Sequence, residues 1–500
     1  MSIVRDTQRE TLIIALIIGV PLMDILKRSL LFAVTLVATF GIFSAVGQCA
    51  DRPNLIWIMA DDLGYAELGC YGQKVITTPH LDQMAKEGLK FTHFYAGATV
   101  CAPSRSVLMT GKHHGRTRVR GNAGQSNPVA QALRPGDVTI AKVLQQAGYR
   151  TSLVGKWGLG DVGEAESGLP RKQGFDEFFG YLNQHHAHNH FPDFLWRNEE
   201  RVSLPNVVTP VGGHGGGYAT KAVQFADDLF ADEAIQFVER NKSQPFFLYW
   251  SMVTPHANNE RTRALKNGAH VPDFGPYVDK DWPEPDKGQA AMISRLDGYV
   301  GRMLATLKEL NLDDNTLVIF TSDNGPHNES NHDLTRFEPS GPYTGIKRSL
   351  TDGGIRVPMI AWWPGKIAPN TTTDHASYFG DWMATACELT HITPPENCDS
   401  ISFVPTLLGN HKKQPVHEFM YWEFHEGGFK QAALYQGRWK GIRMGSPDAP
   451  VALYDQSSDV AEKQNVADKH PDIAAIIGNY LSQARTESSD WEPMWGKKKK

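Results

Sequence analysis

The chain has 500 residues, of which 41% are hydrophobic and 21% charged, and its formal net charge is -5. This composition belongs to an ordinary globular protein and excludes a disordered or collagen-like chain. The weak negative charge argues against a nucleic-acid partner, and five cysteines in 500 residues exclude a disulfide scaffold.

The N-terminal region has two apolar runs, separated by charged residues that include Lys27 and Arg28. The second run ends in small residues and is typical of a signal peptide cleaved after Gly47. We therefore expect segment 1–47 to be a signal peptide, with Met23 as an alternative start, and the protein to be periplasmic or extracellular. If it stays uncleaved, this segment is the route to a membrane, because no later run is long enough to cross a bilayer.

Strands and helices are predicted to alternate from residue 54 to about residue 400. Continuous apolar runs predict strands that are buried on both faces at 54–60 and 246–252, and further strands are predicted at 151–155 and 316–321. Amphipathic segments predict helices that begin at Pro79, follow Thr139, and cover 231–240 and 295–310. This alternation predicts an α/β fold, a large mostly parallel sheet sandwiched by helices, over residues 51–400.

The pattern changes after about residue 400. Short strands joined by tight turns are predicted at 418–424, 431–435, 439–443 and 452–454, and a closing helix follows them. We interpret residues 401–490 as a small α+β domain and residues 491–500 as a solvated basic tail. Two Gly- and Pro-rich segments, 158–170 and 205–217, are predicted to be surface loops.

Polar residues follow four predicted strands where those strands end, namely Asp61-Asp62, Lys156, Pro255-His256 and Asp323-Asn324. Any one of them alone is explained equally well as a strand-end turn or a helix cap. Because ligands bind beyond the carboxyl ends of parallel strands, four such groups on one edge favour a site.

Four of these residues, Asp61, Asp62, Asp323 and Asn324, offer oxygen ligands alone. Oxygen ligands suit a hard cation such as Ca²⁺ or Mg²⁺ better than zinc. Without a cation, clustered carboxylates repel one another and raise their own pKa values. The sequence therefore predicts one divalent cation at this edge.

Cys101 is predicted to begin a helix that ends before Gly111, since Pro103 suits the first helical turn. The N-terminus of a helix favours an anion. An isolated cysteine is more often a small buried apolar residue, so the residues that flank Cys101 decide its interpretation.

Those residues, Cys101-Ala102-Pro103-Ser104-Arg105 with Leu108-Met109-Thr110-Gly111, resemble the signature of type I sulfatases, a branch of the alkaline phosphatase superfamily. Other segments match in order: Asp61-Asp62, Gly155-Lys156-Trp157, Thr254-Pro255-His256, Ser322-Asp323-Asn324-Gly325, and Lys347 before 352–358. The resemblance runs from about residue 53 to beyond residue 440. It implies the alkaline-phosphatase-like fold and a calcium-dependent sulfate ester hydrolase whose cysteine is oxidised to formylglycine by a separate formylglycine-generating enzyme.

The resemblance also implies roles for the matching residues. The hydrate of formylglycine 101, held by the cation, would attack sulfur, and its second hydroxyl would then expel sulfate. Arg105 would bind that hydroxyl or the sulfate oxygens. Lys156 and Lys347 would neutralise the charge of the sulfate and of the ester oxygen. His256, as an imidazolium, would protonate the leaving alcohol. The predicted metal ligands are Asp61, Asp62, residue 101, Asp323 and Asn324.

One position departs from the family pattern, which usually has a histidine where this chain has Gly158. That histidine normally helps the formylglycine hydroxyl to turn over. A His-rich segment follows in the chain, and His185 and His188 are the candidates to replace it. A solvated polar loop is an equally good explanation of this segment.

The substrate class rests on weaker signals. Loops rich in Trp, Tyr and His suggest a sulfated carbohydrate, although an aryl sulfate and a purely structural use of these aromatics stay open. The candidate substrate-binding residues are His185, His188 and His327.

Two other functions remain open at the level of sequence. A phosphomonoesterase, phosphodiesterase or phosphonate hydrolase of the same superfamily is the nearest, but Ser or Thr as nucleophile and a second His- and Asp-rich metal site would favour a phosphatase. The other is an unmodified, inactive protein that binds sulfated glycans.

Overall fold

The computed structural model describes residues 52–123 and 127–492. The predicted signal peptide lies outside these residues, as does most of the predicted basic tail. Within them, no helix is both long enough and apolar enough to span a bilayer.

The described residues form eighteen strands. They are β1 (Asn54–Ala60), β2 (Leu89–Phe91), β3 (Phe94–Tyr95), β4 (Arg150–Lys156), β5 (Glu177–Tyr181), β6 (Phe194–Arg197), β7 (Glu200–Ser203), β8 (Val207–Pro210), β9 (Gly217–Lys221), β10 (Phe246–Ser251), β11 (Thr316–Ser322), β12 (Met359–Trp362), β13 (Thr371–Thr373), β14 (Ser377–Tyr378), β15 (Phe419–Glu423), β16 (Lys430–Tyr435), β17 (Trp439–Met444) and β18 (Ala452–Asp455).

The same residues form twelve α-helices. They are α1 (Pro79–Glu87), α2 (Cys101–Thr110), α3 (Ile140–Gln146), α4 (Gln184–Ala187), α5 (Ala226–Asn241), α6 (Asn259–Leu265), α7 (Glu284–Glu309), α8 (Leu334–Phe337), α9 (Asp352–Ile355), α10 (Asp381–Leu389), α11 (Val404–Leu407) and α12 (Pro471–Gln483). Short 3-10 turns connect some of these elements.

The main sheet confirms the predicted fold class. Among the described residues it has ten strands, in the order β13-β2-β12-β11-β1-β10-β4-β5-β6-β7. The five strands from β11 to β5 are parallel, and antiparallel pairs begin at β12 on one side and at β6 on the other. Every residue of β1, β10 and β11 is buried, as the continuous apolar runs predict for β1 and β10.

Helices cover both faces of this sheet. Alternate residues of β1 serve different cores, because successive side chains point to opposite faces of a strand. Trp57 packs with Leu108 of α2 and Trp382 of α10. Ile58 lies in the second core, together with Phe230 of α5 and the buried face of α7.

Some predicted boundaries differ from the structure. The helix predicted over 231–240 runs over Ala226–Asn241, and that predicted over 295–310 runs over Glu284–Glu309. The first turn of each of these two helices is polar, so the apolar pattern did not reveal where either helix begins. The buried Asp227 in α5 accepts hydrogen bonds from the backbone N–H groups of residues 253 and 254, a tertiary contact that no local pattern shows.

The predicted loops also need correction. Part of segment 205–217 is not a loop, since β8 pairs with β9 in an antiparallel hairpin. At the start of segment 158–170, residues 158–160 are buried rather than exposed. The short edge strands β6 and β7 were not predicted, because four-residue strands with mixed polar residues carry little periodic signal.

The C-terminal region contains the predicted meander. Strands β15 to β18 pair antiparallel in chain order, and α12 packs Ile477 and Leu481 against Tyr421 and Leu453. The Trp422 indole N–H donates to the carbonyl of Ala96 in the preceding region. The domain boundary near residue 400 stays a prediction.

A buried ion network joins this meander to the chain that follows Lys347. The Lys440 Nζ atom lies 2.8 Å from Asp352 Oδ1 and 3.2 Å from Glu462 Oε1, and none of the three side chains is exposed. Tyr95 and Arg356 bond the other oxygen of Asp352. Removal of the ammonium would leave buried carboxylates without their main counter-charge.

We therefore expect Lys440→Ala to lower the free energy of unfolding by about 3–5 kcal/mol. The matched control is Arg438→Ala, which removes an exposed pair with Asp455 and costs less than about 1 kcal/mol. Urea unfolding of both variants measures the difference. Equal losses from the two variants would contradict a structural role for the Lys440 network.

Candidate active site

Four neighbouring strands of the main sheet bring their carboxyl ends to one edge. Beyond β1 lie Asp61 and Asp62, beyond β11 lie Asp323 and Asn324, and β4 ends at Lys156. The chain after β10 carries His256 to the same place. Because the sheet order is β11-β1-β10-β4, these residues converge as the sequence predicts.

Helix α2 places Cys101 over this edge. The helix begins at Cys101 and ends at Gly111, whose φ of 66° is left-handed. Ser104 fixes the helix to the edge, since its hydroxyl donates to the carbonyl of Asp323 at 2.5 Å. The possible ligand atoms of Asp61, Asp62, Cys101 and His256 all lie within 4.8 Å of one another.

Three buried cations face the three carboxylates. Lys156 Nζ lies 2.6 Å from Asp61 Oδ2, and Lys347 Nζ lies 2.7 Å from Asp62 Oδ2. The Arg105 guanidinium lies 2.8 Å from Asp323 Oδ2. These six residues form the floor of the site, and their formal charges sum to zero.

Arg105 is bound mainly by the protein. Its Nη1 donates to the Lys156 carbonyl at 2.8 Å and to the Ser251 hydroxyl, and its Nη2 pairs with Asp323. Among the described residues, its buried Nε has no hydrogen-bond partner. Arg105 therefore positions Asp323, and Nε is the donor left for a bound anion.

Burial and the charges around it set the acidities of the floor. Burial alone would raise the pKa of Asp61 and of Asp62, but nearby cations, chiefly Lys156 for the first and Lys347 for the second, lower both, and they hold the pKa of Asp61 well below the usual range. Burial and the neighbouring Asp61 raise the pKa of Asp323 despite Arg105. Burial also raises the pKa of the Cys101 thiol to about 12, so the unmodified side chain is a neutral thiol and a poor nucleophile.

The donor atoms fit a hard cation. Asp61 Oδ1 and Asn324 Oδ1 are buried without a hydrogen-bond partner among the described residues. Asn324 uses its amide nitrogen to donate to Asp62 Oδ1 at 2.7 Å, which leaves its oxygen as the free atom. Unpartnered buried oxygens are costly unless a ligand satisfies them.

His256 lies beside Lys347 with a defined tautomer. Its Nδ1 donates to the carbonyl of Ala257 at 2.7 Å, so Nε2 accepts from Lys347 Nζ at 3.2 Å. Burial and the Lys347 charge hold the pKa of His256 well below its ordinary value. In the free site the neutral imidazole is therefore favoured, and the role of His256 as an imidazolium acid stays a prediction.

The His-rich segment contacts the site through His188 and through His190, whose Nε2 donates to the carbonyl of His256 at 2.7 Å. The His188 ring stacks on His256 with centroids 4.9 Å apart, and its Nδ1 donates to Glu260 at 3.0 Å. His185 instead directs Nε2 to the carbonyl of Val211 at 2.7 Å. Of the two candidate residues, His188 is therefore the one that lies against His256, and its catalytic role stays a prediction.

His327 supports the site without facing a substrate. Its Nε2 donates to the carbonyl of Pro255 at 2.9 Å, and its Nδ1 accepts from the backbone N–H of Glu329. Both ring nitrogens are therefore occupied. The structure does not agree with His327 as a substrate ligand.

Glutamine fills the space beside Gly158. A Cβ atom at Gly158 would lie 2.5 Å from Gln184 Nε2, and the backbone φ of 81° is strained for other residues. Gln131 hydrogen-bonds the Gly158 carbonyl and Gln184. Because an amide has no basicity near pH 7, Gln184 does not replace the missing histidine chemically.

Sequence reasoning missed Glu329. One of its oxygens lies 3.0 Å from Lys347 Nζ, and the other lies 2.6 Å from Arg348. No strand or helix signal surrounds this residue, so only the folded loop reveals its role. Possible ligand atoms also lie within 4.8 Å of one another in Asp62-His327-Glu329 and in His185-His188-Glu260, and the expectation of one divalent cation stays a prediction.

A buried cluster of carboxylates, lysines and one arginine at the carboxyl edge of a mostly parallel sheet is typical of an alkaline-phosphatase-like hydrolase. The sulfatase family model matches residues 53–392, and that of the N-sulphoglucosamine sulphohydrolase C-terminal region matches residues 345–487. The chain therefore belongs to the sulfatase family and is a sulfuric ester hydrolase, as the motif around Cys101 predicts.

Individual proteins agree with this membership. N-acetylgalactosamine-6-O-sulfatase of Bacteroides thetaiotaomicron is 30% identical, covering 88% of this chain and 94% of its own length. Arylsulfatase A of Homo sapiens is 31% identical, covering 84% of this chain and 85% of its own. The crystal structure of Ps i-CgsB in complex with k-i-k-neocarrahexaose is 26% identical, with a TM-score of 0.72 over 89% of this chain and 94% of that one.

Proposed function

We propose that this protein removes sulfate from a sulfated carbohydrate. The observation that carries the proposal is the placement of Cys101 at the start of α2, buried against Asp61 and Asp62 and faced by Lys156 and Lys347. The sugar substrate is supported by the names of its relatives, which act on N-acetylgalactosamine-6-sulfate or bind a neocarrahexaose. The phosphatase alternative is weaker, since no Ser or Thr stands at position 101.

The proposed nucleophile requires modified Cys101. Formylglycine, made by a formylglycine-generating enzyme, would supply as its hydrate one hydroxyl to attack sulfur and a second to release sulfate. The unmodified thiol is ill suited to this role, because it is buried and stays protonated. Helix α2 would orient residue 101 toward the sheet edge.

The remaining residues bind charge and move a proton. Asp61, Asp62, Asp323 and Asn324 would hold Ca²⁺ or Mg²⁺, which supplies Lewis-acid polarisation of a sulfate oxygen. Lys156 neutralises charge on the sulfate ester. An anion bound beside His256 would raise the pKa of its imidazole and favour the imidazolium, which would protonate the leaving oxygen. Against the effect of burial, Asp62 and Glu329 hold the pKa of Lys347 above its ordinary value, so Lys347 stays charged and would bind the ester oxygen.

We also propose that the protein is exported. The support lies in the sequence: an apolar segment follows Lys27-Arg28 and ends in small residues near Gly47. An exported enzyme would meet polymeric sulfated glycans directly. Attachment to a membrane would require this segment to stay uncleaved.

Cys101→Ser should abolish turnover and leave the fold intact, because a sulfated serine has no second hydroxyl for release. The matched control is Cys398→Ser, a partly exposed thiol away from the sheet edge, which should keep full activity. Hydrolysis of para-nitrophenyl sulfate, followed over many turnovers, measures both variants. Sustained multiple turnover by Cys101→Ser would refute the assignment.

The purified protein should contain one equivalent of Ca²⁺ or Mg²⁺, and Asp61→Asn should lose it. The control Asp399→Asn removes a carboxylate that pairs with Arg116 and should keep the metal. Elemental analysis gives the content, and chelation should lower the melting temperature, since a ligand of the native state stabilises it. Stoichiometric zinc, or full activity after exhaustive chelation, would contradict the oxygen-ligand assignment.

His188→Ala should lower kcat by about 10²- to 10⁴-fold, the usual loss of a positioned base, because burial lowers the pKa of His188 and keeps it neutral beside His256. His185→Ala is the matched control and should lose less, since its ring is held by Val211. Both variants are assayed on an aryl sulfate and on a sulfated sugar. A loss on the sugar alone would assign His188 to specificity instead.

A further inference from the structure

Arg348 stands at the mouth of the site in an unusual setting. It follows Lys347 directly in the chain, yet 46% of its side chain is exposed whereas only 3% of the Lys347 side chain is. Its backbone φ of 75° is left-handed, a conformation that is costly for a residue with a long side chain. Strain of this kind persists where the surroundings impose it and occurs often at functional sites.

The surroundings of Arg348 hold it in a fixed place. Its backbone N–H donates to the carbonyl of Thr99 at 3.1 Å, two residues before Cys101. Its guanidinium forms a salt bridge of 2.6 Å with Glu329 Oε1. The other oxygen of this carboxylate, Oε2, lies 3.0 Å from Lys347 Nζ. Glu329 therefore holds both the buried Lys347 and the partly exposed Arg348 in place.

The C-terminal region contributes Glu426, which lies near the Cys101 helix. Asn122 accepts a hydrogen bond from the backbone N–H of Ala102, and its own N–H donates to Glu426 Oε1 at 3.1 Å. Glu426 also lies near enough to Arg348 to act on it electrostatically: against the effect of burial, Glu329, then Asp62 and Glu426, raise the pKa of Arg348.

We propose that Arg348 determines specificity by binding a second anionic group of the glycan, next to the sulfate that is cleaved. This inference rests on the proposed function. The planar guanidinium suits a carboxylate or a sulfate, and among the described residues Glu329 is the carboxylate it pairs with, so part of the fork faces solvent. The Lys347 ammonium and the Arg348 guanidinium contact the same Glu329 carboxylate, at 3.0 and 2.6 Å, so one sugar unit can present an anion near each.

The experiment compares Arg348→Ala, Arg348→Lys and the unaltered protein on four substrates. They are para-nitrophenyl sulfate, N-acetylgalactosamine-6-sulfate, a disulfated N-acetylgalactosamine, and a disaccharide in which a hexuronate is linked to N-acetylgalactosamine-6-sulfate. We expect Arg348→Ala to lower the ratio of kcat/KM for a doubly anionic substrate to that for the aryl sulfate by about tenfold or more, mainly through KM. Arg348→Lys should restore part of the ratio.

The substrate that loses most identifies the second anion as a sulfate or a carboxylate. Arg171→Ala, an exposed arginine paired with Glu199 elsewhere, is the matched control and should leave every ratio unchanged. Equal losses on all four substrates would overturn the inference and reduce Arg348 to a support for Glu329. If the unaltered protein cleaves no sulfate ester at all, the proposed function fails instead.

Discussion

Three carboxylates and three cations, buried together at one edge of the sheet, determine the structure of this site. Asp61, Asp62 and Asp323 would repel one another if they stood alone. Lys156 pairs with Asp61, Lys347 pairs with Asp62, and Arg105 pairs with Asp323 and, at 3.6 Å, also with Asp61. The six residues come from strand ends, from α2 and from the loop before α9. The cluster therefore forms only when the parallel strands are in register and α2 is seated on them.

The balance of charge explains how such a buried floor can serve an anionic ester. The floor is formally neutral, so a divalent cation would add two positive charges and a sulfate monoester would bring one negative charge. The product, a sulfate dianion, would restore neutrality. Within this cluster, Asp61 Oδ1, Asn324 Oδ1 and Arg105 Nε are buried and have no hydrogen-bond partner among the described residues.

Sequence patterns predicted those strands and helices whose apolar spacing or end residues are visible along the chain. Fully apolar runs identified β1 and β10, and Pro103 and Gly111 bounded α2. Tertiary contacts decided the rest. The tautomer of His256 depends on the Ala257 carbonyl and Lys347, the position of Glu329 depends on loop closure, and the crowding at Gly158 depends on Gln184 from another strand's loop. None of these leaves a periodic or compositional trace.

The central claim is that residue 101 acts as formylglycine rather than as a thiol. Mass spectrometry of the peptide that contains residue 101, from protein purified from its native host, tests this most directly. We expect the mass of formylglycine in protein that hydrolyses a sulfate ester. An unmodified cysteine in a fully active preparation would contradict the account.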